Sequence, residues 1–150
     1  MTDDALSPAE ARDLRALAAA IIPASATYGV PGADDGKVFA DILASLGRDR
    51  DDVRAALVRL AALSGGSFAD LSPGRRTEVA SALRTEGGSA LAALVRVVLL
   101  CYYRDDRVMR SLGQEPRAPF PKGHVVEQGD WSLLDPVRAR PPIWRRVSRA

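Results

Sequence analysis

The sequence has a single cysteine, a single histidine and few aromatic residues. With only Cys101 present, the chain cannot form an internal disulfide bond or a metal site built from several cysteines. Aromatic side chains make up 5% of the residues, while alanine and leucine dominate, a composition that favours thin, closely packed helices over a sheet rich in β-branched residues. We therefore expect no large β-sheet.

Charge of one sign and long apolar runs are also lacking. The net charge is +2, from 21 lysines and arginines against 19 aspartates and glutamates, so it does not by itself indicate a nucleic-acid binder. The most apolar stretch, 90–103, is interrupted by Arg96 and is shorter than the ~20 residues of a membrane span. Residues 1–4 are acidic, with neither a twin arginine nor the apolar core of a signal peptide. We expect a cytoplasmic chain without a membrane span, or a periplasmic one if a twin-arginine signal was removed.

What the sequence does contain is a series of helix starts, helix stops and apolar stripes. Ser7-Pro8-Ala9-Glu10 combines the serine, proline and glutamate of a capping box, and Ser72-Pro73 repeats the serine and the proline. Prolines and glycines end the stripes that follow. The predicted helices cover roughly residues 8–22, 35–46, 51–64, 73–86, 89–103 and 105–112.

The fifth predicted helix, which Ser89 should cap, is apolar on nearly every side. Such a helix is either the central one of a bundle or is covered on its second side by another chain. Its predicted core face carries Leu91, Leu94, Val95, Val98, Leu99 and Tyr102, while Val97, Leu100 and Cys101 fill much of the remainder.

The chain changes character at Gln114. Six of the ten prolines lie in residues 114–150, and no window there has a sustained helical or strand period. Disordered tails are poor in aromatic and branched apolar residues, whereas this tail keeps Phe120, Val125, Val126, Trp131, Leu133, Leu134, Val137, Ile143 and Trp144. We therefore predict an all-α fold: a small irregular bundle of five to six helices over residues 1–113, followed by a long, proline-rich, non-helical C-terminal tail over 114–150 that wraps a partner protein.

No segment has the pattern of a catalytic or cofactor-binding site. The glycines at 29–32 and 65–67 lack the spacing of a phosphate-binding loop and predict turns. His124 lies in the proline-rich tail, so a hydrolase that uses it as a base is the weakest of the alternatives. Cys101 is predicted to pack in the core. Three acidic pairs stand at or near helix starts, where carboxylates cap free N–H groups: Asp34-Asp35, Asp51-Asp52 and Asp105-Asp106. We expect no catalytic, cofactor-binding or metal-binding residue in this chain.

Two groups of residues are typical of a protein interface. Tyr102-Tyr103-Arg104 has the residue types enriched in interface hot spots, although tyrosines that close the bundle would explain it equally well. The tail carries an arginine cluster around Trp144 that would suit nucleic acid or an acidic protein surface, and we favour the protein because prolines interrupt the cluster. The cluster comprises Arg138, Arg140, Arg145, Arg146 and Arg149. The predicted partner-binding residues are Tyr102, Tyr103, Arg104, Phe120, Trp131, Trp144 and Arg145.

Several segments together resemble the small-subunit family of gluconate 2-dehydrogenase, known as subunit 3. Residues 14–23, followed by Pro31-Gly32-Ala33, are similar to the family's opening helix and its "IIP…PGA" turn. Residues 68–73, FADLSP, are similar to its mid-chain "F-x-x-L-S-P" element. The family's C-terminal signature resembles residues 102–108, YYRDDRV, with Leu112-Gly113, 119–123 and Trp131.

The resemblance implies a noncatalytic helical subunit that carries no flavin, haem or metal of its own. It would support the folding, stability or maturation of a larger catalytic subunit of the glucose-methanol-choline oxidoreductase type, and that partner would bind FAD. The implied assembly is a hetero-oligomeric oxidoreductase acting on a sugar or alcohol. Many family members carry a twin-arginine export signal, which this sequence lacks. The alternative is a free-standing helical adaptor, or a nucleic-acid-associated protein that uses the basic tail.

Overall fold

A computed structural model describes residues 5–118, 120–123, 125–141 and 143. Over these residues the protein is all-α, as predicted, and contains no β-strand. The chain divides into two units, Met1–Pro116 and Arg117–Ala150, each of which is described by itself. The division falls close to Gln114, where the composition of the sequence changes.

Within its described part, the N-terminal unit contains six α-helices; a long loop over residues 22–35 joins the first two, and shorter connections with two 3₁₀ turns join the others. The helices are α1 (Pro8–Ile21), α2 (Gly36–Ala44), α3 (Arg50–Ser64), α4 (Pro73–Glu86), α5 (Ser89–Tyr103) and α6 (Asp106–Ser111). The turns Gly47–Asp49 and Phe68–Asp70 precede α3 and α4. The prediction carried α2 on to residue 46, but buried Leu46 instead leads into the first 3₁₀ turn, so α2 ends earlier.

The helix starts follow local capping chemistry. The Glu10 amide donates to the Ser7 hydroxyl at 3.2 Å while the Ser7 amide donates to the Glu10 carboxylate at 2.7 Å, which confirms the predicted capping box. Ser72 accepts a hydrogen bond from the Arg75 amide at the start of α4. In both helices the serine hydroxyl thus accepts from an amide that the first turn of a helix leaves without a partner.

Two glycines separate α4 from α5. Gly87 and Gly88 have φ angles of +67° and +101°, which glycine adopts without the steric cost that a Cβ would add. Because Gly88 occupies the N-cap position, Ser89 is the first residue of α5 and does not cap it as predicted. Among the described residues no single helix is long and apolar enough to cross a membrane, and α4 and α5 pass that test only as a pair, bent by 119°.

The core is centred on α3 and α5, with α2 packed against α5 and α4 packed against α3. Phe68, on the 3₁₀ turn before α4, is fully buried between α1 and α3. The face that α5 turns inward differs from the prediction, because Leu99 is exposed while Val97 and Cys101 are buried. The buried residues of α5 are Ala93, Leu94, Val97, Val98, Cys101 and Tyr102.

The described part of the C-terminal unit contains a 3₁₀ turn, Trp131–Leu134, followed by a one-turn helix, α7 (Asp135–Arg138). Asp130 begins the turn by accepting a hydrogen bond from the Ser132 amide at 3.0 Å. Pro136 lies in the first turn of α7, where its missing N–H leaves no hydrogen bond unmade. No helix was predicted in this segment, because one turn is too short to produce a helical period.

Candidate functional site

The outward side of α5 carries large apolar side chains. Leu100 is 61% exposed and Tyr103 is 53% exposed, and Leu99 beside them is also exposed. Residues three and four apart are neighbours on a helix surface, so these three side chains adjoin one another. We call Leu99, Leu100 and Tyr103 the α5 ridge. Adjoining exposed apolar side chains of this kind make the ridge a candidate for a surface that another molecule covers.

Two paired arginines lie at the ends of the α5 ridge. Arg96 donates to Asp49 at 2.7 Å, one helical turn before Leu99 and Leu100. Arg104, next to Tyr103, donates to both carboxylate oxygens of Asp41 and to the Ser45 hydroxyl. The hydrogen bond from Arg104 lowers the pKa of Asp41, so this carboxylate stays ionised near neutral pH. An apolar centre with a charged edge is the usual composition of a protein interface.

The two tyrosines that end α5 have different environments. Tyr102 is 4% exposed, and its hydroxyl donates to the Pro31 carbonyl at 3.1 Å. Burial raises the pKa of Tyr102, which keeps the hydroxyl protonated and able to donate. Its ring meets that of Tyr103 edge-on, with the ring centroids 5.3 Å apart. Tyr102 therefore closes the bundle, while the ring of Tyr103 faces solvent; the interface role of this pair stays a prediction.

A buried carboxylate organises the junction between α5 and α6. Asp105 caps α6 by accepting a hydrogen bond from the Arg107 amide at 2.9 Å, and it also accepts from the Arg107 guanidinium at 2.9 Å. The same guanidinium reaches Asp35, the N-cap of α2, at 2.6 Å, and Lys37 lies 3.6 Å from Asp105. These bonds, above all that from Arg107, lower the pKa of Asp105 to about 2. The junction thus fastens the start of α6 to the start of α2.

A shallow cleft of about 400 Å³ lies beside this junction and contains Cys101, Asp41 and Asp105. Each of the two carboxylates is already bonded to an arginine. Burial raises the pKa of the Cys101 thiol, which therefore stays protonated and unreactive. Within the part of the chain that the structure describes, no group of three or more histidine, cysteine, aspartate or glutamate residues could hold a metal ion. His124 is not among the described residues, so the hydrolase alternative stays a prediction.

The predicted partner-binding residues of the tail fall into two sets. Phe120 and Trp131 are 86% and 59% exposed. Trp144 and Arg145 lie outside the described residues, as do Arg146 and Arg149 of the arginine cluster. Other exposed apolar side chains in the same unit are Val125, Val126, Leu133, Leu134, Val137 and Ile143.

Some of the segments that carry the family resemblance are joined by hydrogen bonds within the N-terminal unit. Tyr102, from the C-terminal signature, bonds to Pro31 of the "PGA" turn. Asp13, on the opening helix, accepts hydrogen bonds from the Ser67 hydroxyl at 2.7 Å and the Ala69 amide at 2.9 Å, which holds the "F-x-x-L-S-P" element against α1. These long-range bonds were not predicted, and the only sequence signal for them was the order of the motifs.

A comparison of the chain with known protein families, curated proteins and solved structures finds no match. The assignment to the subunit 3 family therefore stays a prediction from the motifs.

Proposed function

We propose that this chain is the noncatalytic small subunit of a heteromeric FAD-dependent oxidoreductase that acts on a sugar, a polyol or a related alcohol. Its partner is a larger catalytic subunit of the glucose-methanol-choline type, which binds the FAD. The observation that carries the proposal is the set of exposed apolar side chains on the α5 ridge and in the described part of the tail, from Phe120 to Ile143. The motifs that resemble the subunit 3 family select the kind of partner.

The size of the exposed set indicates how the subunit would bind. Burying Leu100, Tyr103, Phe120 and Trp131 at about 1.5 to 3 kcal/mol each yields roughly 6 to 12 kcal/mol. The loss of translational and rotational freedom on association costs about 4 to 15 kcal/mol. The free energy gained by burying these four side chains is therefore about equal to the cost of association. Tight binding therefore requires the remaining apolar residues of the tail, so we expect the α5 ridge and the tail to bind together.

In this proposal the chain contributes surface and no chemistry. It covers apolar surface that the catalytic subunit exposes during its maturation, and it stabilises the assembled form by mass action. The charged edge formed by Arg96 and Arg104 sets the orientation of the complex more than its affinity, because both arginines are already paired within the chain.

Co-expression with an FAD-dependent catalytic subunit of the glucose-methanol-choline type, followed by pull-down, tests the proposal. We expect the two chains to co-purify and the absorbance bands of flavin to follow the larger one. Hydrogen exchange of the tail amides should slow when the partner is added. The proposal would be contradicted if the isolated chain is monodisperse, its tail amides are already protected from hydrogen exchange, and it does not bind the flavoprotein.

A matched pair of substitutions locates the contact. Leu100→Lys places a charge in the α5 ridge, whereas Val58→Lys places the same charge at an exposed apolar position on α3. Truncating a central anchor costs about 2 kcal/mol or more, so Leu100→Lys should weaken binding by about thirtyfold while Val58→Lys leaves it within about twofold. Equal effects of the two substitutions would exclude the ridge as the contact.

The nucleic-acid alternative predicts a different dependence of binding on salt concentration, which the same purified chain can show. A protein held by phosphate contacts loses affinity steeply as the salt concentration rises. For each phosphate contacted, a tenfold rise in salt concentration lowers the binding constant by about tenfold. Binding of the isolated chain to duplex or single-stranded nucleic acid with such a slope, together with failure to bind the flavoprotein, would favour that alternative.

A further inference from the structure

A groove of about 550 Å³ lies among α1, α4 and α5 within the N-terminal unit, and Val95, which lines it, is one helical turn before Leu99 of the α5 ridge. Leu17 and Ile21 of α1 and Leu91 and Val95 of α5 contribute apolar side chains to it. The groove is open along one side. A small molecule bound by a pocket usually has 70–90% of its surface covered, so an open groove of this kind suits a segment of another polypeptide.

The α4 side of the groove extends over two helical turns. Thr77, Ser81 and Arg84 lie four and three residues apart and therefore share one face of the helix. Seven residues of helix rise by about 10 Å, which is the length of two helical turns. A partner helix can place apolar side chains at i, i+3 or i+4, and i+7 along such a groove.

Arg84 supplies the charge that selects the occupant. Among the described residues this arginine makes no hydrogen bond and no ion pair. The other arginines of α4 are engaged, since Arg75 bonds to Glu78 at 2.7 Å and Arg76 bonds to the Ala69 carbonyl. The last turn of a helix favours a cation, but the helix dipole does not explain why a guanidinium without a partner borders an apolar groove.

We propose that this groove receives an amphipathic helix of the FAD-binding partner subunit. Apolar side chains of that helix pack against Leu17, Ile21, Leu91 and Val95, and an aspartate or glutamate on it pairs with Arg84. The inference rests on the proposed function and adds a second contact region to the α5 ridge. It also predicts which part of the partner is bound: two turns of helix with an acidic side chain beside an apolar stripe.

Two matched pairs of variants test the groove in titrations with the purified FAD-binding subunit. Ala20→Phe fills the groove from an exposed position on α1, and Ala82→Phe adds the same ring at an exposed position of α4 outside the groove. Arg84→Gln and Arg75→Gln each remove one positive charge from α4, but only Arg84 lines the groove. We expect each groove variant to weaken binding by about tenfold. Arg84→Gln removes a charge-assisted hydrogen bond, and Ala20→Phe takes the space in which a side chain of the partner would pack. The two control variants should stay within about twofold.

A photo-cross-linking side chain at position 20 identifies the occupant directly. The expected product joins position 20 to a partner peptide that has the predicted apolar and acidic pattern, while the same group at position 82 gives no such product. Cross-links to a second copy of this chain, or a complex that forms equally well with the groove variants, would overturn the groove inference and leave the proposed function standing. Failure of the unmodified chain to bind the flavoprotein would overturn both.

Discussion

The substitution Asp105→Asn tests the junction between α5 and α6. Asparagine keeps the size of the side chain and its ability to cap a helix, but it removes the negative charge that Arg107 and Lys37 bond to. The pKa of Asp105 falls from an ordinary 3.8 to about 2 in the folded protein. At about 1.4 kcal/mol for each tenfold change in proton affinity, this difference corresponds to a little over 2 kcal/mol of folding free energy.

The sign of the pKa change fixes how the effect depends on pH. A carboxylate whose pKa is lowered by folding stabilises the protein above its ordinary pKa, and that stability is lost as the pH falls through the folded value. We therefore expect Asp105→Asn to lower the free energy of unfolding by about 2 kcal/mol at pH 7 and by less than about 0.5 kcal/mol near pH 2.

Urea unfolding followed by circular dichroism at 222 nm, at several pH values between 7 and 2, measures this difference. Asp106→Asn is the control, because Asp106 is the adjacent carboxylate but is half exposed and pairs with Arg110 only at 3.5 Å. The control should change stability by no more than about 0.5 kcal/mol. A difference between wild type and Asp105→Asn that is the same at pH 7 and pH 2.5 would refute the electrostatic explanation of the junction.

Three further predictions concern the N-terminal unit. A Cβ on Gly32 would lie 2.9 Å from the Ala24 amide nitrogen, whereas one on Gly36 would meet nothing within 4 Å. Gly32→Ala should therefore destabilise the protein by about 1 to 3 kcal/mol and Gly36→Ala should stabilise it by up to about 1 kcal/mol, which thermal unfolding of both variants would show. Phe68→Ala should cost about 3 to 5 kcal/mol in urea unfolding, because the ring is fully buried; a cost below about 1 kcal/mol would be inconsistent with that burial. Cys101 should react with a thiol reagent only after unfolding, since it is buried and burial raises its pKa, and rapid reaction of the native protein would show that this part of α5 opens.

Local signals in the sequence predicted where helices begin, because a cap acts within three or four residues of chain. Ser7 with Glu10 and Ser72 with Pro73 are cases in which the signal and the bond it predicts lie in the same turn. The inward face of α5 could not be predicted in this way. Where almost every residue of a helix is apolar, the period of apolar residues does not distinguish the two sides, and Leu99 was therefore assigned to the core.

The candidate site shows the same limit. Tyr102 was predicted on the core face of α5 and is buried there, but its hydrogen bond to the Pro31 carbonyl could not be predicted, because the two residues lie 71 positions apart in the sequence. The bonds from Arg107 to Asp35 and from Arg104 to Asp41 likewise join distant parts of the chain. Such pairs leave no period in the sequence, and the groove beside Arg84 depends on three helices that only the fold brings together.

Because α5 has one face in the core and the α5 ridge on its exposed side, its length cannot change without misplacing one of the two. One inserted or deleted residue turns everything beyond it by about 100° around the helix axis. Such a change near the middle of α5 would swing Leu100 and Tyr103 out of alignment and bring Val98, Cys101 and Tyr102 out of the interior together. Relatives of this protein should therefore differ in length in the loops around α5 and not within it.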